Sequence, residues 1–294
     1  MSSQRLGVWL QAARPRTLAA SVAPVMMGTV MAAAEGAAHW PAAAVALVAA
    51  LLIQIGTNLA NDYFDYVKGA DTAARTGPRR MVQAGLVTPP AMRRAAVLVF
   101  AAALMVGSYL VWRGGWPILA VGLVSILSGV LYTGGPYPLG YRGLGEVFVL
   151  LFFGPVAVGG TYYVQALTLD PWVLVAGLGP GLVSVAILTV NNLRDIHTDA
   201  VAGKRTLAVR FGPAFARWEY AGSLAAASLL PLVFLVTGAA GMTIALTTLV
   251  LVAAVPSLRT VFTSRDAAAL NRSLGATGGL LMLHTVLFSV GWLL

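Results

Sequence analysis

Two short stretches hold five of the ten acidic residues in the chain. One runs Asn58-Leu-Ala-Asn61-Asp62-Tyr-Phe-Asp65-Tyr-Val-Lys68-Gly-Ala-Asp71. The other runs Asn191-Asn192-Leu-Arg194-Asp195-Ile-His197-Thr-Asp199-Ala-Val-Ala-Gly203-Lys204-Arg205-Thr206. At about 100° per helical residue, Asn58, Asp62 and Asp65 fall within roughly 60° of one helix face, as do Asn192, Asp195 and Asp199. Carboxylates one turn apart repel, more strongly where water is scarce, and a cation between them or partial protonation relieves the repulsion. Carboxylate and amide oxygens are hard ligands, suited to Mg²⁺ or Ca²⁺. The two stretches also resemble each other: an Asn, an Asp-bearing face, then a loop with Gly and a basic residue. A parallel internal repeat of this kind brings both acidic faces to one cleft. That geometry suits a diphosphate whose oxyanion groups are both metal-bound. Arg80, Lys204 and Arg210 are candidates to neutralise the remaining charge. A lone Asp at a helix end is usually a cap or a solvated residue, and Asp71 can be read either way; the matched clusters cannot.

These side chains must be carried by membrane helices. Hydrophobic residues make up 59% of the 294 positions and charged residues 10%, with a mean hydropathy of +0.82. Ordinary globular domains are near a quarter charged, so a soluble surface cannot be covered here, and disorder would require low hydrophobicity. The expected fold is all-α: a polytopic membrane protein with a single intramembrane domain over residues 1–294. Apolar runs of roughly 20 residues give nine transmembrane helices, near 17–34, 41–61, 91–112, 116–133, 145–164, 172–192, 219–237, 239–256 and 274–293. The runs are continuously apolar rather than alternating, which argues against a transmembrane barrel. The first run reads as a genuine span rather than a removable presequence. All but Arg113 of the 19 Lys and Arg residues fall on one side of this alternation. The positive-inside rule makes that side cytoplasmic, together with the N-terminus. The net charge of +9 is then basic loops, not a nucleic-acid surface. Both acidic stretches sit at the cytoplasmic ends of even-numbered spans, the second and the sixth.

The remaining chemistry is sparse. Cysteine is absent, which removes thiol nucleophiles, cysteine–zinc sites and iron–sulfur clusters. His39, His197 and His284 lie too far apart in sequence to suggest zinc. His197 reads as a loop residue. Glu146 opens the fifth span, either as a structural polar contact or at the substrate cleft. Tyr132, Tyr137 and Tyr141 are interfacial-belt residues or the wall of a cation-stabilising pocket. Gly177, Gly179 and Gly181 lie inside a span, where small residues allow close helix packing.

At its acidic stretches the chain resembles the UbiA superfamily of intramembrane prenyltransferases. The motifs are Ala13-Arg14-Pro15-Arg16-Thr17-Leu18, Asn58-x-x-Asn61-Asp62-x-x-Asp65, Gly77-Pro78-x-Arg80, Leu131-Tyr132-Thr133-Gly134-Gly135, Tyr141-x-Gly-x-Gly145-Glu146, Asn191-Asn192-x-Arg194-Asp195-x-x-x-Asp199 and Lys204-x-Thr206-Leu207-x-x-Arg210-x-Gly212. Many members carry a third aspartate four residues after the second; here that position is Gly69 and Asp71 follows it, a spacing similar to the naphthoate-prenylating branch. The resemblance implies nine helices around a central cleft open to the cytoplasmic side and laterally to lipid, in a bacterial inner membrane. It implies two Mg²⁺ ions on Asp62, Asp65, Asp195 and Asp199, gripping a polyprenyl diphosphate. Asn58, Asn192, Arg80, Lys204, Arg210, Arg142, Tyr132 and Glu146 would bind the substrates. The implied acceptor is 1,4-dihydroxy-2-naphthoate, with hydroxybenzoate, homogentisate, haem or a chlorophyllide as alternatives. A secondary transporter also carries intramembrane carboxylates and internal repeats. These aspartates, however, cluster at one face, and few polar residues lie at the midplane.

Overall fold

A computed structural model describes residues 3–71, 77 and 79–294, without the side chains of residues 3–5. Arg75, Pro78 and the side chain of Arg5 therefore lie outside the described residues. Among the described residues the chain is helical, with no strand. Helix α1 (Ser3–Ala13) passes through a 3-10 turn, Pro15–Thr17, into α2 (Ala19–Ala34). The apolar segments Leu6–Thr17 and Ala19–Ala34 meet at 51°. The bend falls at Arg14, held at φ 53° ahead of a proline that disfavours helical geometry in the residue before it. There follow α3 (Trp40–Val67), α4 (Pro89–Gly114), α5 (Trp116–Leu131), α6 (Gly145–Phe152), α7 (Pro155–Ala166), α8 (Pro171–Arg194), α9 (Ile196–Val201), α10 (Leu207–Leu229), α11 (Leu232–Val236), α12 (Leu249–Thr263) and α13 (Ala267–Leu293).

The protein is an integral membrane protein. Among the described residues, seven helices are long and apolar enough to cross a bilayer, or eight if the bent α1–α2 pair forms one span. Three of these are composite: Gly145–Ala166, Leu207–Val236 and Met242–Thr263. The expected segment 116–133 is a 16-residue helix, α5, shorter than the roughly 20 residues a span requires. The other expected segments also fall on helix, with different bounds. Hydropathy cut the segment at 219–237 too late, because α10 begins with the charged turn that holds Arg210. The expected long loop 193–218 is instead mostly α9 and the start of α10. Thr206 caps α10 by accepting from the Val209 amide at 3.3 Å, a local signal that overrides low hydropathy.

The helices sort their faces as a bilayer demands. Val97, Leu98, Met105, Leu127 and Val252 point outward, and Trp112 and Trp116 are exposed at the turn between α4 and α5. Such surface is tolerable only against lipid. α8 is the most enclosed span. A Cβ on Gly177 would stand 2.8 Å from the Pro155 backbone, and one on Gly181 2.5 Å from the Leu150 carbonyl. Of the three expected close-packing glycines, Gly177 and Gly181 receive the break between α6 and α7, and Gly179 packs against His284 of α13. Arg113, the lone cation of the opposite side, donates to the Val164 and Gln165 carbonyls at 2.6 and 3.0 Å. It caps the end of α7 rather than holding a ligand.

Candidate active site

The C-terminal ends of α3 and α8 converge. The Lys204 ammonium lies 3.6 Å from Asp65 of the first acidic stretch and 3.5 Å from Asp199 of the second. One side chain therefore touches both motifs. Arg80 binds Asp65 at 2.6 Å and Asp71 at 3.3 Å, which gives Asp71 a place at the rim. The Tyr141 hydroxyl donates to Asp65 at 2.6 Å. Its ring lies beneath two ammonium groups, Lys204 at 4.8 Å and Lys68 at 5.3 Å from the centroid. Burial and the neighbouring Asp65 carboxylate push the Tyr141 phenol up, so it stays a protonated donor.

Each acidic stretch is built differently from the other. On α3, Asp62 accepts the Met81 and Val82 amides at 2.9 and 3.3 Å, tying the turn after the first stretch back onto the helix. Asn58 donates to the Ala13 carbonyl and to Thr17 Oγ1, both at 3.0 Å, so its amide hydrogens fix the α1–α2 bend. The second stretch departs from the single-helix expectation. α8 ends at Arg194; Asp195, at φ −94° and ψ 8°, is its C-cap, and Asp199 rides on the separate helix α9. Asp195 is held by a two-pronged grip from Arg194 at 2.8 and 2.5 Å. The same guanidinium binds Asn191 at 2.8 Å and Asn271 of α13 at 2.6 Å. Arg194 was not among the expected site residues. Its signal was visible: a cation ending an apolar helix, flanked by Asn191 and Asp195.

The expected residues divide accordingly. Asp62, Asp65, Asp195 and Asp199 are all buried, 1 to 8% exposed. They share one corner with Arg80, Lys204 and Tyr141. Asn192 donates to Glu146 at 3.0 Å. Arg142 and Arg210 lie off the carboxylates: Arg142 sits 4.4 Å over the Tyr137 ring. Arg210 donates to the Arg142 and Arg205 carbonyls at 2.6 and 3.0 Å. His197 is exposed. Burial is the main cause that pushes the Asp199 carboxyl up, with Asp195 and Asp65 adding to it and Lys204 opposing it. Tyr132 is likewise pushed up by burial, then by Glu146, Asp65 and Asp199.

The donor set fits a hard divalent cation. Four buried carboxylates supply oxygen, and a positive charge, that of Lys204, already lies between the two motifs. Among the described residues no three His, Asp or Glu side chains converge on one point. A cation held here therefore needs further oxygens from a ligand, as Mg²⁺ commonly does with substrate phosphates.

From this corner an apolar cavity of about 550 Å³ runs into the bundle between α2, α3, α4, α5 and α6–α7. Asn58, Asn61 and Tyr132 stand at its polar end. It follows α3 from Asn61 to Ala46, about 22 Å of helix at 1.5 Å per residue. A charged head at the acidic corner and a long apolar tail in the cavity are the ligand this shape accepts.

Residues 21–287 match the model of the UbiA prenyltransferase family. The 1,4-dihydroxy-2-naphthoate octaprenyltransferase of Mycobacterium tuberculosis is 46% identical over 228 residues, covering 77% of each chain. The protein of the same name from Haemophilus influenzae is 34% identical over 312 residues, covering 100% of this chain and 98% of its own. Among solved structures, a UbiA homolog from Archaeoglobus fulgidus bound to DMAPP and Mg²⁺ superposes with a TM-score of 0.66. It is 14% identical, covering 96% of this chain and 99% of its own, and so speaks for the fold.

Proposed function

The chain belongs to the UbiA prenyltransferase family, and from that membership we propose that it transfers the polyprenyl group of a polyprenyl diphosphate to 1,4-dihydroxy-2-naphthoate. Diphosphate and CO₂ leave, and the product is the hydroquinone demethylmenaquinol. The observation that carries this reading is the Lys204 ammonium shared by Asp65 and Asp199, which makes one clamp of two acidic stretches. The relatives named for this naphthoate acceptor support the choice of aromatic substrate.

In this reading Asp62, Asp65, Asp195 and Asp199 hold two Mg²⁺ ions, which would screen the diphosphate and stabilise the charge developing on it as the C1–oxygen bond breaks. Lys204 and Arg80, both paired with Asp65, would supply further positive charge to the diphosphate. The apolar cavity takes the tail and keeps water from the allylic cation. Tyr132, at the cavity's polar end, offers a π face to that cation. The electron-rich naphthalene carbon attacks C1. By the positive-inside rule this reading has the cleft facing the cytoplasm, with the N-terminus inside, and takes the membrane to be a bacterial inner membrane.

The test is direct. Asp62→Asn and Asp195→Asn should each lower turnover at least about a thousandfold, the scale of several kcal/mol of lost transition-state stabilisation. EDTA should abolish it, and Mg²⁺ should restore it. Supplied separately with naphthoate, hydroxybenzoate and homogentisate acceptors, membranes should yield prenylated product from the first. Prenylation of another acceptor would refute the naphthoate assignment; near-normal turnover by either variant would refute the clamp.

A further inference from the structure

The clamp accounts for the leaving diphosphate but not for the acceptor's proton. One buried carboxylate beside the clamp has no part in it so far. Glu146 lies in the first turn of α6, buried, with Asn192 Nδ2 donating to it at 3.0 Å and no ion pair among the described residues. One turn before Asn192 on the same face of α8, Thr189 donates to Glu219 of α10 at 3.1 Å. α8 thus presents two neutral donors on one face, each to a carboxylate of a neighbouring helix. Tyr132 closes the group from the cavity side. A Cβ on Gly145 would stand 2.7 Å from its hydroxyl, so the small residue before Glu146 lets the phenol sit against this turn. The same phenol senses Asp65 and Asp199. Arg210 donates instead to the Arg142 and Arg205 backbone carbonyls.

We propose that Glu146 carries the proton of the reaction, as base and then as acid, to and from the acceptor hydroxyl that neighbours the carboxylate. The inference rests on the prenyl transfer proposed above. In the first half, the hydroxyl O–H bond breaks and its proton moves to Glu146. The O–H pair becomes a ring C=O, and the ring carbon bearing the carboxylate uses its π pair to bond C1 of the prenyl group. In the second half, the bond from that carbon to the carboxylate breaks and CO₂ departs. The pair left behind re-forms the ring double bond and returns the C=O pair to oxygen, which takes the proton back from Glu146. The carboxylate ends as it began, and no oxidant or other acid is needed. A neutral amide partner suits this double duty, because a fixed cation would hold Glu146 in its basic form alone.

Glu146→Gln decides the matter. Glutamine keeps the oxygen that accepts from Asn192, so a merely structural role survives the change, whereas the proton-carrying role does not. The expected result is a kcat lowered by about 10²- to 10⁴-fold, with the KM for polyprenyl diphosphate and the melting temperature little changed. The pH–rate limb that a catalytic carboxylate imposes should be absent. Diphosphate release with water as the trap should continue, since the clamp is intact. Glu146→Asp should keep that limb and part of the turnover. Turnover within threefold of wild type in Glu146→Gln overturns the proposal. So does a Glu146→Asp variant as inactive as the amide while diphosphate release persists. If wild-type protein releases no diphosphate and prenylates no aromatic acceptor, it is the underlying function that fails.

Discussion

Asp199 is a carboxylate whose fold works against its charge. Burial outweighs the nearby Lys204, and its folded pKa stands above the ordinary 3.8. The folded protein therefore holds this proton to a higher pH than the unfolded chain does. By linkage the ionised group costs stability at neutral pH, a cost that shrinks as pH falls through the raised value and is gone below 3.8. Asp199→Asn should thus raise the melting temperature of metal-free protein near pH 7, with the gain fading on acidification, while turnover is lost. Thermal unfolding in detergent with EDTA at stepped pH checks this; a lower melting temperature at pH 7 would contradict the assigned direction. A site that spends stability on grouped carboxylates is the expected signature of function over folding.

At the scale of helices, the tie that matters is Arg194. Its guanidinium joins Asn191 and Asp195 at the end of α8 to Asn271 near the start of α13. Lysine carries the same charge but has no planar fork, so it cannot serve all three partners at once. Arg194→Lys should therefore lower the melting temperature by several degrees and turnover with it. Arg113→Lys, at the far end of the bundle, should leave turnover close to wild type. Equal effects from both changes would show that the α8–α13 tie is not special. The element also explains the one local misreading of the second stretch. Uniform helical spacing from Asn192 to Asp199 assumes an unbroken helix, but the helix stops at Arg194 and restarts at Ile196. Asp199 still reaches the cleft, where it lies 3.5 Å from the Lys204 ammonium.

Across the whole molecule, the proposed reaction makes the apolar cavity the place where tail length is selected. Gly122 on α5 lines it, and a Cβ there meets nothing within 4 Å. Gly122→Leu should fill groove space without a clash and shift preference toward shorter prenyl diphosphates. The clamp should remain as active as before on a short donor. Mass spectrometry of products from donors of graded length checks this; an unchanged length preference would mean the tail does not follow this groove.

Much of this was legible in the chain order alone. An excess of apolar residues forces helices, since in lipid each backbone amide must be satisfied within its own segment. The paired Asn and Asp residues mark two helix ends as a candidate cation-binding pair through their type and period. Arginine and lysine placement gives the expected cytoplasmic side. Those are local or compositional properties, and no fold is needed to read them. Partnership is different. That Arg80 and Lys204 face the aspartates while Arg142 and Arg210 spend themselves on a ring and on carbonyls depends on where three loops meet. Charge alone cannot rank them, because all four are equally basic in sequence. The reach of Asn271 to Arg194 across 77 positions, and the meeting of Glu146 with Asn192, exist only once the bundle has closed and brought distant residues within hydrogen-bond range.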